Sequence, residues 1–440
     1  MRTALDSAFT TGNTSHGSIS VNDTYSIQIF SAYEESLFEF YHTGANVVTP
    51  VNDNYEIDGD AVYRIASAGK LYTVYLLLIV AGDAVFAESV TKYLPELAGV
   101  AHWDEVTVGA LAGYIGGVSA ECYIIEIITG QSFSSALQTS LIEPLGLSRT
   151  FASTPDDESI GVILYDATTS GWNVDISEVT AMGGIFASAS DVSAIGRSIL
   201  SSKLLASNTT RAWLKPTSFT SSPAGFVGRP WEIYRATIDL SNNRVVDIYT
   251  KAGNFGVYGS ILALVPDFDI GFTILMASEA RPNPLTIAGV VTDILLPAVE
   301  EAARVETHAA YADTYTSPRI NSSVTISSEA GKPGLSLESW ISNGTDMFPI
   351  FGFPDDFRLY PSNVGSSDGD KKRVSWKAVS GLDSGSTDFG TFAACPTWFG
   401  IDRPGWGLWG LDDWVFVLEE GVVSSVEIAA LKVVLERDAE

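Results

Sequence analysis

The chain has 440 residues, 46% of them hydrophobic and 18% charged, with a formal net charge of −28. That acidic balance excludes a general affinity for nucleic acid or for an anionic membrane surface, since both need a basic face. No run reaches the ~18 apolar residues of a membrane span, so neither nucleic acid nor membrane is expected as a partner, and composition identifies no other.

The opening "MRTALDSAFTTG" is polar and has no apolar h-region, so no secretory leader is expected in this sequence. Five sequons, at Asn13, Asn22, Asn208, Asn321 and Asn343, point the other way, toward a secretory route. Both readings of localisation stay open here. The two cysteines, Cys122 and Cys395, have no spacing that decides between one bridge and two buried thiols.

Taken in chain order, residues 24–41, "TYSIQIFSAYEESLFEFY", alternate apolar and polar side chains around an acidic turn and predict a β-hairpin. The stretch "VYRIASAGKLYTVYLLLIV" at 62–80 reads as a short strand running into a buried helix that ends near Gly82-Asp83. "ECYIIEIITGQSF" and "FSSALQTSLIEPLGL" predict further helices, the second closed by Pro144 and Gly146. "ASDVSAIGRSILSS" predicts an amphipathic helix with Ser or Asp available as its cap.

Residues 244–277 change character. "RVVDIYTK", "VYGSILALV" and "DIGFTILMA" are three β-rich runs, the last two joined by the turn "PDFD". A long helix over about Leu285–His308 follows. Strands, many helices, three strands and a helix together predict an α/β (α+β) domain in which an antiparallel sheet is flanked by helices, with an all-α subregion. From about residue 318 the sequence becomes helix-poor. Six of the ten tryptophans lie between Trp340 and Trp414, among turn clusters such as "GKPG", "SNGT" and "GSSDGDKK". Domains are therefore expected at 1–318 and 319–440, the second β-rich.

The chemistry gathers at Ser67 and Lys70. Three residues apart on a helix, they share a face one turn apart. A serine hydroxyl needs an adjacent base to become a nucleophile, and an amine can be that base only where burial or a second cation lowers its pKa. A lysine followed by "LYTVYLLLIV" meets that condition, and a helix N-terminus offers N–H groups to a developing oxyanion. The competing reading makes Ser67 an N-cap and lets Lys70 reach the surface. A second Ser-x-x-Lys, Ser89 to Lys92, reads better as a helix cap.

Lys251-Ala252-Gly253 ends the first of the three late strands. Ser67-Ala-Gly-Lys70 followed by Lys251-Ala-Gly253 resembles the ordered S-x-x-K and K-T-G motifs of serine β-lactamases and penicillin-binding proteins. With "SVTKYLPEL", "AMGGIFASASDVSAIGRSIL" and "YTKAGNFGVYGSILALVPDFDIGFTIL", the chain resembles the class C, esterase-type branch of that superfamily. It is most similar to fungal members with an extra C-terminal β domain, whose opening "YADTY" at 311–315 resembles.

The resemblance implies a β-lactamase-like fold and an acyl-enzyme hydrolase or acyltransferase acting on a small metabolite ester, thioester or amide, without a cofactor. It implies Ser67 as nucleophile, Lys70 as proton relay, and Lys251 as a cation that lowers the Lys70 pKa and can orient an anionic substrate group. The N–H groups of Ser67 and Asn254 would form the oxyanion hole, with Gly253 allowing close approach.

The middle Tyr-x-Asn motif departs from the family. "ALAGYIGGVSAECYIIEIITG" runs almost straight into the next helix, so Tyr114-Ile115-Gly116 is a shifted remnant or Tyr114 replaces the histidine of the preceding family stretch. Tyr123 is a further candidate whose plainer reading is helix packing. Loss of the tyrosine that activates water would favour slow turnover, a non-hydrolytic reaction such as cyclisation or isomerisation, or a binding protein. Ala252 stands where the family has a hydroxyl residue that binds a substrate carboxylate, which favours an uncharged substrate. Gly365-Ser-Ser-Asp-Gly369 matches G-x-S-x-G but reads as a solvated loop, and His16, His42, His102 and His308 show no metal spacing. "AMGGIFA" lacks the βαβ frame of a dinucleotide site, and the tail's tryptophans read as core rather than as a carbohydrate platform.

Overall fold

The computed structural model describes residues 1–48, 56–114, 121–176, 180–239, 244–351, 357–380 and 405–438. The chain divides into two compact units, Met1–Ile238 with Val245–Leu296, and Asp239–Arg244 with Pro297–Glu440.

The first unit is built on an eight-stranded sheet. Its strands are β1 (Thr24–Ser31), β2 (Phe38–His42), β3 (Ser218–Phe219), β4 (Gly225–Val227), β5 (Glu232–Asp239), β6 (Arg244–Phe255), β7 (Tyr258–Val265) and β8 (Ile270–Ala277), ordered β2-β1-β8-β7-β6-β5-β4-β3. The predicted hairpin is β1–β2, and the three late runs are β6, β7 and β8, paired antiparallel. β7 and β8 are buried along their whole length, which is why they read as continuous apolar runs rather than alternating ones. Between them Pro266–Phe268 form a single 3₁₀ turn that Asp269 closes at φ 52°.

Helix α1 (Gly69–Ala81) is hydrophobic all round and lies inside the unit, as such a helix must. Lys70 is its one charged residue. Helices α2 (Glu121–Thr129) and α3 (Ala189–Leu200) flank it and the sheet, α3 packing on β1, β7 and β8. Ser188 caps α3 by accepting from Asp191 N at 3.2 Å. The second Ser-x-x-Lys is a cap as expected, Ser89 accepting from Thr91 N. A 28-residue helix, Pro284–Tyr311, covers the long helix expected near Leu285–His308.

In the second unit the strands are β9 (Asp313–Ser317), β10 (Ser322–Ser327), β11 (Leu335–Ser342), β12 (Phe357–Asp368), β13 (Lys371–Ser380), β14 (Asp413–Glu419), β15 (Val422–Ile428) and β16 (Val433–Arg437). Their order is β10-β9-β16-β15-β14-β13-β12-β11, and β11 also pairs with β10. The ring is thus a closed antiparallel barrel, which leaves none of these strands as an open edge. Gly365–Asp368 belong to the end of β12 and Gly369 to the turn into β13, so the expected solvated loop is instead an exposed hairpin end. Trp340, Trp376 and Trp414 fill the barrel, with Trp340 packed edge-on against Trp414 at 5.0 Å between ring centroids. Trp406 and Trp409 are exposed on a separate short hairpin, so the core reading holds for only some of these tryptophans. Replacing Trp340, 1% exposed, by alanine is expected to destabilise the barrel by about 3–5 kcal/mol, read as a shift of its transition in denaturant unfolding.

Candidate active site

The strand Val62–Arg64 pairs with Phe186–Ser188 and delivers the chain to a single turn of 3₁₀ helix, Ala66–Ala68, before α1 begins at Gly69. Arg64 is 1% exposed. It donates to the carbonyls of Gly171 (2.8 Å), Trp172 (3.3 Å) and Val174 (2.7 Å), with its guanidinium against the Phe186 and Phe255 rings. Ser260 Oγ donates to Ile65 O at 2.6 Å, which ties β7 to the same turn. Ala66 holds φ at 47°, a left-handed backbone that a residue with a Cβ adopts only when its surroundings fix it.

Ser67 is not a helix cap: the residue at that position is Ala68, with no side-chain capping bond. Lys70 does not reach for the surface either. Its Nζ lies 3.0 Å from Ser67 Oγ and 3.0 Å from Met182 O. Burial lowers the Lys70 pKa, and the positive charge of Lys251 lowers it further; the carboxylates of Glu121 and Glu232 oppose both. A neutral amine so placed can donate one N–H to Met182 O and turn its lone pair to the Ser67 hydroxyl.

The edge of β6 lies directly against the serine turn. A Cβ added at Gly253 would sit 2.4 Å from Ile65 O, 2.6 Å from Ser67 N and 2.7 Å from Ala68 N, so only glycine fits there. Asn254, the next residue on β6, is paired in register with Gly259 of β7. Lys251 is 3% exposed, and Ala252 follows it on the same strand.

Tyr114 is 46% exposed and has φ 68°. Its hydroxyl reaches Pro230 O at 2.8 Å and Glu232 Oε1 at 3.0 Å, and Lys251 Nζ lies 5.5 Å from its ring centroid. Burial, and then the nearby Glu232 charge, push its pKa well up. The phenol therefore stays protonated and serves as a donor. Ile115 and Gly116, the rest of the supposed motif remnant, lie outside the described residues. Tyr123 stands 45% exposed on α2, so core packing does not account for it, and it is not among the residues that line the cavity. Cys122 is buried on α2, and Cys395 lies outside the described residues.

Lys70, Tyr114, Glu121, Met182 and Pro230 line one cavity of ≈ 220 Å³. Two carboxylates act on Lys70, Glu121 from the cavity wall and Glu232 from outside the lining. Glu121, the first residue of α2, is 7% exposed, and burial raises its pKa. Glu232, the first residue of β5, binds Lys251. The sequence signal for Glu121 is slight, an acid at the first position of a mostly apolar helix that also carries Glu126. Glu232 had none, because it meets Lys251 only through the pairing of neighbouring strands. Among the described residues no cluster of three His, Cys, Asp or Glu side chains could hold a metal ion, and no helix is long and apolar enough to cross a membrane.

Comparison with known proteins places this geometry among relatives. Residues 122–291 match the β-lactamase family model, and residues 303–439 match the model of a β-lactamase-like C-terminal domain. The chain is 23% identical to a β-lactamase-like protein of Arthroderma benhamiae, over 90% of this chain and 84% of that one. It is 32% identical over 53% of its length to the "Probable hydrolase M10" of a Phoma species, of which it spans only 39%. Among solved structures, a class C β-lactamase from Rhodobacter sphaeroides superposes with a TM-score of 0.52 at 18% identity, over 67% of this chain and 99% of that one.

Proposed function

We propose that this chain, which belongs to the serine β-lactamase-like superfamily, is an acyl-enzyme hydrolase or acyltransferase for a small ester, thioester or amide. The observation that carries the reading is the 3.0 Å contact between Lys70 Nζ and Ser67 Oγ in a setting that lowers the Lys70 pKa. In this reading Lys70 takes the hydroxyl proton as Ser67 Oγ bonds to the substrate carbonyl, then hands it to the leaving group as the carbonyl–leaving-group bond breaks. The N–H groups of Ser67 and Asn254 receive the oxyanion, and Gly253 lets the β6 edge approach closely enough for both to serve. Lys251 acts at a distance, by disfavouring a second positive charge at Lys70.

The test is intact-protein mass spectrometry after incubation with a fluorophosphonate and with an activated ester. One phosphonyl adduct per chain together with ester turnover supports the reading; absence of an adduct on folded protein overturns it. A second reading is favoured by one observation, the engagement of the Tyr114 hydroxyl with Pro230 O and Glu232. With no phenolate to activate water, the same pocket would acylate and stall, pass the acyl group to a better nucleophile, or guide a cyclisation or isomerisation. An acyl-enzyme that accumulates from the activated ester and is released by an added alcohol or amine would favour it.

The electrostatics give a pH prediction. Only the neutral amine of Lys70 is active, so a lower pKa extends activity to lower pH. Lys251→Met removes the neighbouring cation and leaves the Glu232 carboxylate uncompensated, and both changes raise the Lys70 pKa. The acid limb of the kcat/KM profile is therefore expected to move to higher pH, with the plateau less affected. An unmoved limb would remove Lys251 from the mechanism.

A further inference from the structure

The surroundings of Lys251 are complete without a substrate. Its Nζ donates to Glu232 Oε1 at 2.5 Å and to Ala252 O at 2.7 Å. The second Glu232 oxygen accepts from Ala252 N at 2.9 Å, and Tyr114 OH reaches the first at 3.0 Å. One carboxylate thus collects an ammonium, a backbone N–H on the β6 edge and a phenol. That donor set, a cation beside convergent N–H and O–H groups, is what binding an incoming carboxylate would require. Glu232 is held there by its own strand: it opens β5, and Thr250 Oγ1 donates to its carbonyl at 2.8 Å. The ammonium that lines the cavity, Lys70, is already engaged with Ser67 and Met182 O, and the carboxyl that lines it is Glu121.

We infer that Glu232 is a built-in counter-ion that fills the anion subsite beside Ser67 and restricts this site to acyl donors whose acyl group carries no negative charge. A carboxylate entering beside Tyr114 would meet the Glu232 charge held against that phenol and, among the described residues, would find no unengaged ammonium there, so it is rejected by repulsion as well as by lack of a partner. An uncharged acyl chain meets the apolar wall of Val74, Leu111, Ala112 and Pro230 instead. The inference rests on the acyl-enzyme reading of Ser67 and specifies its substrate class.

The experiment reads charge selection both with and without turnover. The kcat/KM values for p-nitrophenyl hexanoate and mono-p-nitrophenyl adipate are compared in wild type and Glu232→Gln. In parallel, binding of hexanamide and hexanoate is measured by calorimetry in Ser67→Ala and in Ser67→Ala with Glu232→Gln. Wild type is expected to favour the neutral ester, and the neutral amide is expected to bind more tightly, by about tenfold or more. Glutamine keeps the size of the side chain but frees the Lys251 charge, so in both assays the preference should shrink or reverse. The acid limb of the rate profile should also move to lower pH, because a carboxylate that raises the Lys70 pKa is gone. The same preference with and without the Glu232 charge, or a wild-type preference for the anion, overturns the inference. Charge-selective binding without a fluorophosphonate adduct on wild type overturns the acyl-enzyme reading alone.

Discussion

Ser67→Ala is expected to abolish the fluorophosphonate adduct that wild type forms, and Lys70→Ala to slow its formation by about 10²–10⁴-fold, the usual contribution of a positioned general base. The two effects are expected to be non-additive. Once the hydroxyl is gone, the amine has no proton to take, so the double variant should be no worse than Ser67→Ala. The geometry supports the distinction. Lys70 Nζ makes its contacts to Ser67 Oγ and to a main-chain carbonyl, Met182 O, so its removal leaves the serine turn held by Ile65, Ser260 and Arg64. Circular dichroism should therefore show Lys70→Ala folded while labelling collapses. Undiminished labelling of Lys70→Ala would mean that another group accepts the serine proton.

Gly253→Ala is expected to lower acylation by at least about 10²-fold, since displacements of an ångström at a reacting centre have that effect. It should also destabilise the first unit by about 1–3 kcal/mol through overpacking. The new methyl group would stand 2.4 Å from Ile65 O and 2.6 Å from Ser67 N, closer than any real Cβ contact, and the atoms it meets are backbone rather than the end of a flexible side chain. Relief requires β6 or the serine turn to move, and either movement separates the two N–H groups proposed to hold the oxyanion. Ala252→Gly, one residue earlier on the same strand, is the control: it adds no atoms and should leave labelling within about tenfold of wild type. Equal labelling of Gly253→Ala and wild type would show that the β6 edge has no part in the reaction.

Much of the site was legible in local sequence. Ser67 and Lys70 belong to one turn, so their spacing alone brings them together, and the apolar run after Lys70 foretold the burial that lowers its pKa. Lys251 and Gly253 were legible only as part of an ordered set of motifs, since nothing near them says what they face. Glu232 and Glu121 were not legible. An acid at the start of a strand or of a helix is ordinary until its surroundings are known, and here those are Lys251 for Glu232 and the burial near Lys70 for Glu121. Tyr114 stands out in the sequence by its place in a shortened segment, yet its raised pKa and its bonds to Pro230 and Glu232 follow from folding, not from the motif.

By itself the sequence determined the hairpin and the three late strands, the buried helix α1 with its single charge and the Ser67–Lys70 pair, because each depends on periodicity or on neighbours within one turn. It also determined that the tail would be β-rich. Tertiary structure alone decided that the tail's strands close into a barrel, since closure depends on β10 meeting β11 as well as β9. It alone decided that Gly253 touches the serine turn and that the Lys251 charge is matched by Glu232, nineteen residues away in sequence and 2.5 Å away in space. Coulomb interaction and steric fit depend on distance in space, and a chain that folds strand beside strand sets those distances without recording them locally.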